Sequence, residues 1–222
     1  MAQLEACLID AYNTIVRTDV AAHASELPAL AGIPADAMHA EFSRLSPALS
    51  VGEISMTEAL ALLLRACGVK PRPDLVREMA AKARELLLSS ARLYDDVLPF
   101  LRALRSRGIK VAIVSNCDEN TRPLLVLLGV DALADTLILS CEVGAAKPAA
   151  PIFRTALGRL GVTAEAALFV DDTAAYCAGA EALGISAVQM VRDDHDGLVP
   201  SGTPVVRSLR DLEAIIGRDA GS

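Results

Sequence analysis

Five short apolar runs, set apart by helix-patterned segments, limit this chain's fold more than any other feature. They lie at residues 5–10, in "IKVAIVSN" (109–116), "TLILS" (136–140), "AALFVDD" (166–172) and "SAVQMV" (186–191). "DVLPFLRALRSRG" (96–108) reads as an amphipathic helix closed by Gly108, and helices are expected near 120–128, 151–160 and 174–183. Strands alternating with helices predict a doubly wound parallel sheet. The unbroken apolar character of the strands predicts burial on both faces.

One block departs from this alternation. Residues from about 20 to 91 read as helix only. "SMTEALALLLRACG" opens on a capping box, Ser55 with Glu58, and ends at Gly68. "PDLVREMAAKARELLL" places Leu75, Val76, Met79, Ala80, Ala83, Leu86 and Leu87 on one face. The expected organisation is an α/β core of residues 1–16 and 92–222 with a helical unit, 17–91, inserted after the first strand.

A carboxylate at the end of a buried strand, as in "CLIDAYNTIV" (7–16), is by itself an ordinary turn former. The rest of the chain changes that reading. In open parallel sheets, ligands bind at the carboxyl ends of the strands. Asp10 ends the first strand, Ser115 and Asn116 the second, and Asp171 and Asp172 end "ALFV". Lys147 follows "TLILS" in the loop "EVGAAKP". All these polar groups fall on one sheet edge.

Three neighbouring carboxylates do not all ionise without a counter-charge. Hard oxygen donors without a His or Cys set point to Mg²⁺. Thr14, Ser115 and Asn116 are short neutral donors for phosphate oxygens, and Lys147 is a point charge for both phosphate and Asp10. Asp10 is placed to attack phosphorus and form an aspartyl phosphate. The expected partner is a small phosphorylated metabolite.

Composition excludes other classes. Net charge is −7 and no Lys/Arg cluster is present, so nucleic acid is not an expected partner. Apolar runs of about ten residues are too short to span a bilayer. Five cysteines without a CxxC, and an N-terminus without a basic region, lead to the expectation of a cytoplasmic chain with reduced thiols.

Four motifs together resemble the haloacid dehalogenase superfamily. "DAYNT" is similar to its first motif, with Asp10 as nucleophile, and "VAIVSN" to its second, with Ser115 on phosphate. "GAAKP" is similar to the third, with Lys147, and "FVDD" to the fourth, with the acidic pair on Mg²⁺. The resemblance implies a Rossmann-like core, a helical cap, and a metal ligated also by the backbone carbonyl of Tyr12.

Two departures stand out. Phosphatases of this superfamily usually carry a second Asp where this chain has Tyr12, and the usual acidic residue is missing from "KPAAP". Tyr12 leans toward the superfamily's metal-independent 2-haloacid dehalogenases, which work through an aspartyl ester. Those enzymes replace the acidic pair with neutral residues and hold the substrate carboxylate with an Arg. Here only Arg17 and Arg44 lie early enough. The acidic pair therefore favours a phosphohydrolase, with the dehalogenase as alternative and a weakly catalytic binding member as a second. Tyr12 is a poor proton carrier, with an ordinary pKa near 10. It favours leaving groups that need little protonation: anomeric sugar, acyl or aryl phosphates. Asp118, Glu53 and Tyr176 are candidate proton sources, with helix capping, a solvated cap edge and packing as their ordinary roles; His195 in "VRDDHDG" (191–197) reads by default as part of a solvated loop on the same edge, where it could meet a substrate.

Overall fold

The computed structural model describes residues 3–18, 20–192 and 202–219. Among these, six strands form one parallel sheet: β1 (Ala6–Ile9), β4 (Lys110–Ser115), β5 (Thr136–Leu139), β6 (Ala167–Asp171), β7 (Ser186–Met190) and β8 (Val205–Val206). A separate ribbon pairs β2 (Val16–Arg17) with β3 (Arg92–Leu93) antiparallel, where the chain leaves for the helical block and returns. Two-residue strands carry no periodicity, so the sequence did not reveal them.

The sheet order is β5-β4-β1-β6-β7-β8. The first strand is thus central, and the chain winds to one side of it and then to the other. Ile9 lies in register with Ile113 on β4 and with Val170 on β6. Such a reversal point opens a crevice at the strand ends. Asp10, Ser115 and Asp171 all reach it.

Alternation along β1 fills both faces. Cys7 and Ile9 join one buried cluster with Phe100 and Leu104 of α5 (Val97–Ser106), Leu124 of α6 (Thr121–Leu127) and Leu212 of α10 (Leu209–Asp219). Ala6 and Leu8 join the other, with Phe153 of α8 (Ala150–Leu160) and Ala180 of α9 (Ala174–Glu181). Helix α10 reaches Asp219 and so takes in part of the polar end of the chain. The strand expected over "TLILS" stops at Leu139. Ser140 opens the short turn α7 (Ser140–Val143), because its hydroxyl accepts the Cys117 N–H at 2.8 Å.

Residues 20–90 form α1 (Val20–Ala31), α2 (Ala35–Ser50), α3 (Met56–Ala66) and α4 (Pro73–Ser90) around their own cluster, with Met38, Leu49, Leu60, Leu63 and Met79 at its centre. Both bonds of the Ser55–Glu58 capping box form. Of the predicted α4 face, Ala80 and Leu87 are only half-buried. Two contacts seat this block on the strand edge. The Glu119 carboxylate accepts the Met56 N–H at 2.8 Å. Gly52, at φ 73°, lies so close to Cys141 that a Cβ there would sit 2.2 Å from its carbonyl oxygen. No helix among the described residues is long and apolar enough to cross a membrane.

Candidate active site

Asp10 follows β1 directly, and its N–H donates to the Val170 carbonyl at 2.8 Å. The chain then turns sharply. The N–H groups of Ile15 and Val16 both donate to Ala11 O, and Asn13 takes φ 59°, a left-handed conformation that Asn tolerates. This turn buries Thr14 and lets the Asn13 amide donate to Asp172 Oδ2 at 3.2 Å.

Lys147 joins the strand ends. Its Nζ donates to Asp10 Oδ1 at 2.5 Å and to Asp171 Oδ2 at 2.6 Å, and the residue is only 3% exposed. Its stem runs beside Phe169 and Tyr176, whose ring centres lie 5.6 and 5.2 Å from the ammonium. The Asn116 side chain holds the Lys147 backbone at both ends: Lys147 N–H donates to Oδ1 at 2.8 Å, and Nδ2 donates to Lys147 O at 2.9 Å. Asn116 was expected to be a plain phosphate donor. It is first a positioning group, with one N–H of its amide spent on the loop.

The electrostatics follow from two buried carboxylates sharing one ammonium. Burial lifts the Asp10 pKa above its ordinary value, against the pull of Lys147. Burial and the Asp10 charge push Asp171 up to about 7, against Lys147 and the Thr173 N–H. Burial works against the Lys147 charge, but the two carboxylates outweigh it and raise its pKa. One unit of negative charge is left uncompensated in this buried trio. Asp172, half-buried beside it, adds another carboxylate, and oxygens of Asp10, Asp171 and Asp172 lie within 4.8 Å of one another. An all-oxygen donor set with surplus negative charge fits Mg²⁺.

Two hydroxyls complete the strand edge. Thr14 Oγ1 and Ser115 Oγ belong to fully buried residues, and neither finds a hydrogen-bond partner among the described residues. Such groups cost about 1–3 kcal/mol each when unpaired, a cost that a ligand's acceptor oxygens would remove.

A profile of the haloacid dehalogenase-like hydrolases matches residues 4–184. The chain belongs to this hydrolase family. Over 146 residues the hydrolase is 34% identical to phosphatase MT3486 of Mycobacterium tuberculosis, covering 63% of this chain and 65% of the relative. Over 141 residues it is 32% identical to the glyceraldehyde 3-phosphate phosphatase of Methanopyrus kandleri, covering 63% of this chain and 60% of the relative. The matches thus span less than two thirds of these curated relatives' lengths. A solved dehalogenase structure superposes with a TM-score of 0.69 at 26% identity, over 97% of this chain and 98% of the other.

In this hydrolase the Tyr12 hydroxyl bonds to Thr121 Oγ1 at 2.9 Å, and burial pushes its pKa above the ordinary value. Thr121 escaped sequence analysis, although it opens α6 on the same edge as the motifs. Asp118 and Tyr176 line the cavity beside Tyr12. Exposed Glu53 is not among the lining residues. Arg17 lies 6.0 Å from the centre of the Tyr94 ring, and Arg44 pairs with Glu41 at 2.8 Å on the surface; neither lines the cavity. His195 lies outside the described residues.

Proposed function

We propose that this hydrolase is a Mg²⁺-dependent phosphohydrolase acting on a small phosphorylated metabolite, with residues 17–91 as a cap over a core of 1–16 and 92–222. The observation that carries the reading is the convergence of Asp10, Asp171 and Asp172 within 4.8 Å. An Asp10 carboxylate oxygen attacks phosphorus, the ester P–O bond breaks, and the leaving oxygen takes a proton. Water then attacks the aspartyl phosphate at phosphorus, releasing phosphate and restoring the Asp10 carboxylate. Lys147 orients Asp10 through Oδ1. Thr14, Ser115 and the second Asn116 N–H donate to phosphate oxygens. Asp10, Asp172 and the Tyr12 carbonyl would hold Mg²⁺, with Asp171 supporting them from the Lys147 side, and the ion would supply charge neutralisation for the phosphoryl group.

The dehalogenase reading draws support from Tyr12 and from the dehalogenase neighbour. It is disfavoured because Lys147 is the only Lys or Arg among the described cavity-lining residues, and both its carboxylate bonds are internal. A substrate carboxylate would therefore lack a cation of its own. Phosphate release from a panel of esters, with Mg²⁺ and with EDTA, tests the proposal. Mg²⁺-dependent release is expected; EDTA-insensitive halide release from 2-chloropropionate without phosphatase activity would reverse the assignment.

Asp118 suits the proton donor's role. It is half-buried on the cavity wall, and its partial burial, helped by the Glu119 charge, raises its pKa despite the Asn120 N–H that it accepts at 2.7 Å. Asp118→Asn is expected to slow alkyl esters by roughly 10²–10⁴-fold, the usual worth of general acid catalysis. Esters of a good leaving group such as 4-nitrophenol should be almost unaffected. Equal losses on both would assign Asp118 a structural role.

Gly179 sets the Lys147 loop from beneath. A Cβ there would stand 2.7 Å from both Cβ and O of Pro148. Gly179→Ala is expected to shift the loop and lower kcat/KM by about 10²-fold, the order of cost for a 1 Å misplacement. Unchanged kinetics in a folded variant would show that the loop is held elsewhere.

A further inference from the structure

The cavity beside the catalytic edge has a volume of about 1190 Å³, somewhat above the usual range of ligand pockets. Its floor holds Lys147, Asn116, Tyr12 and Asp118. Its walls come from the helical block and are of another character: Leu27, Met38, Phe42, Leu49, Leu60 and Leu63. The polar groups there are few. Ser46 is half-buried, Ser50 spends its hydroxyl on Pro47 O at 3.0 Å, and Asp36 and His39 are exposed.

Resting on the phosphohydrolase reading, we infer that the group carried by the phosphate is uncharged and largely apolar, an alkyl or aryl chain long enough to reach the α2–α3 wall. Three observations converge. The wall is mainly apolar, so most hydroxyls of a sugar placed against it would lose their water partners unreplaced. The only described lining cation, Lys147, is committed to Asp10 and Asp171, so a second phosphate or a carboxylate would find no counter-charge. Asp36 on the lining would repel such a group. Of the three leaving groups that Tyr12 suggested, this wall accepts the aryl type and disfavours the sugar.

The test is a homologous series of n-alkyl phosphates from ethyl to octyl, with glycerol 3-phosphate as the polar control, all with Mg²⁺. Calorimetric binding of propyl- and octylphosphonate runs in parallel and needs no turnover. The expected result is a rise in kcat/KM of about two- to fourfold per methylene, glycerol 3-phosphate below propyl phosphate, and the same ordering in phosphonate affinity. Phe42→Asn and Leu27→Asn, both at half-buried positions, should each reduce the octyl-to-ethyl ratio by about tenfold. A flat series, or glycerol 3-phosphate equal to the alkyl esters, would overturn the inference. If no ester turns over but octylphosphonate still binds more tightly than propylphosphonate, the phosphatase reading fails and the ligand class stands. Equal binding, or none, overturns the class.

Discussion

Asp10→Asn is expected to abolish turnover and leave the folded protein at least as stable as the wild type. On the proposed mechanism the loss is chemical: an amide cannot form the aspartyl phosphate, and removing a covalent nucleophile typically costs on the order of 10⁴–10⁶-fold. The stability argument concerns the same atoms. Asp10 is buried, and its pKa in the folded state lies above its ordinary value because burial outweighs Lys147. Its ionisation therefore opposes folding. That penalty is absent below the ordinary carboxylate range and grows as pH rises toward the folded-state pKa. Asn keeps the shape, removes the surplus negative charge, and leaves Lys147 bonded to Asp171 at 2.6 Å. Thermal melting at neutral pH should give a Tm equal to or above that of the wild type, with the gap closing at acid pH. A clear drop in Tm would mean that the Asp10–Lys147 pair stabilises the fold.

The sheet was legible because its strands are apolar on both faces and each ends in polar residues. Asp10, Ser115, Asp171 and Lys147 stood out as interruptions of otherwise unbroken patterns. What remained hidden depends on spatial proximity without sequence proximity. Asn116 read as a phosphate donor, but its bonds to the Lys147 backbone join residues 31 apart in the chain. Thr121 carried no signal of its own, and only the structure brings its hydroxyl to Tyr12, 109 residues away. Gly179 sits inside a helix like any small residue, and only the approach of Pro148 gives the missing Cβ a meaning. The apolar stripes of α2 and α3 read as core. Several of these residues are core, yet Leu60 and Leu63 also face the cavity, a double role that periodicity does not separate.

Lys147→Met should show the opposite balance to Asp10→Asn, because it removes the cation and leaves both carboxylates. Met preserves most of the stem that lies beside Phe169 and Tyr176, so the change isolates the charge. Removing one partner from a buried ion pair typically costs roughly 3–5 kcal/mol, and denaturant unfolding near neutral pH should show a loss of that order together with loss of activity. The pH dependence follows from the sign of the shifts. Without Lys147 the two carboxylates have folded-state pKa values still further above their ordinary ones. Their ionisation then opposes folding more strongly as pH rises, and the gap to wild type widens from acid to neutral pH. The decisive comparison is the double variant, Asp10→Asn with Lys147→Met. It leaves only Asp171 of the trio charged, with the Thr173 N–H at 2.8 Å from its other oxygen. Most of the stability lost in Lys147→Met should return, although activity stays absent. Such a coupling energy is the signature of residues that act through a shared charge. Additive losses would instead place the contribution of Lys147 in its packing against the two rings.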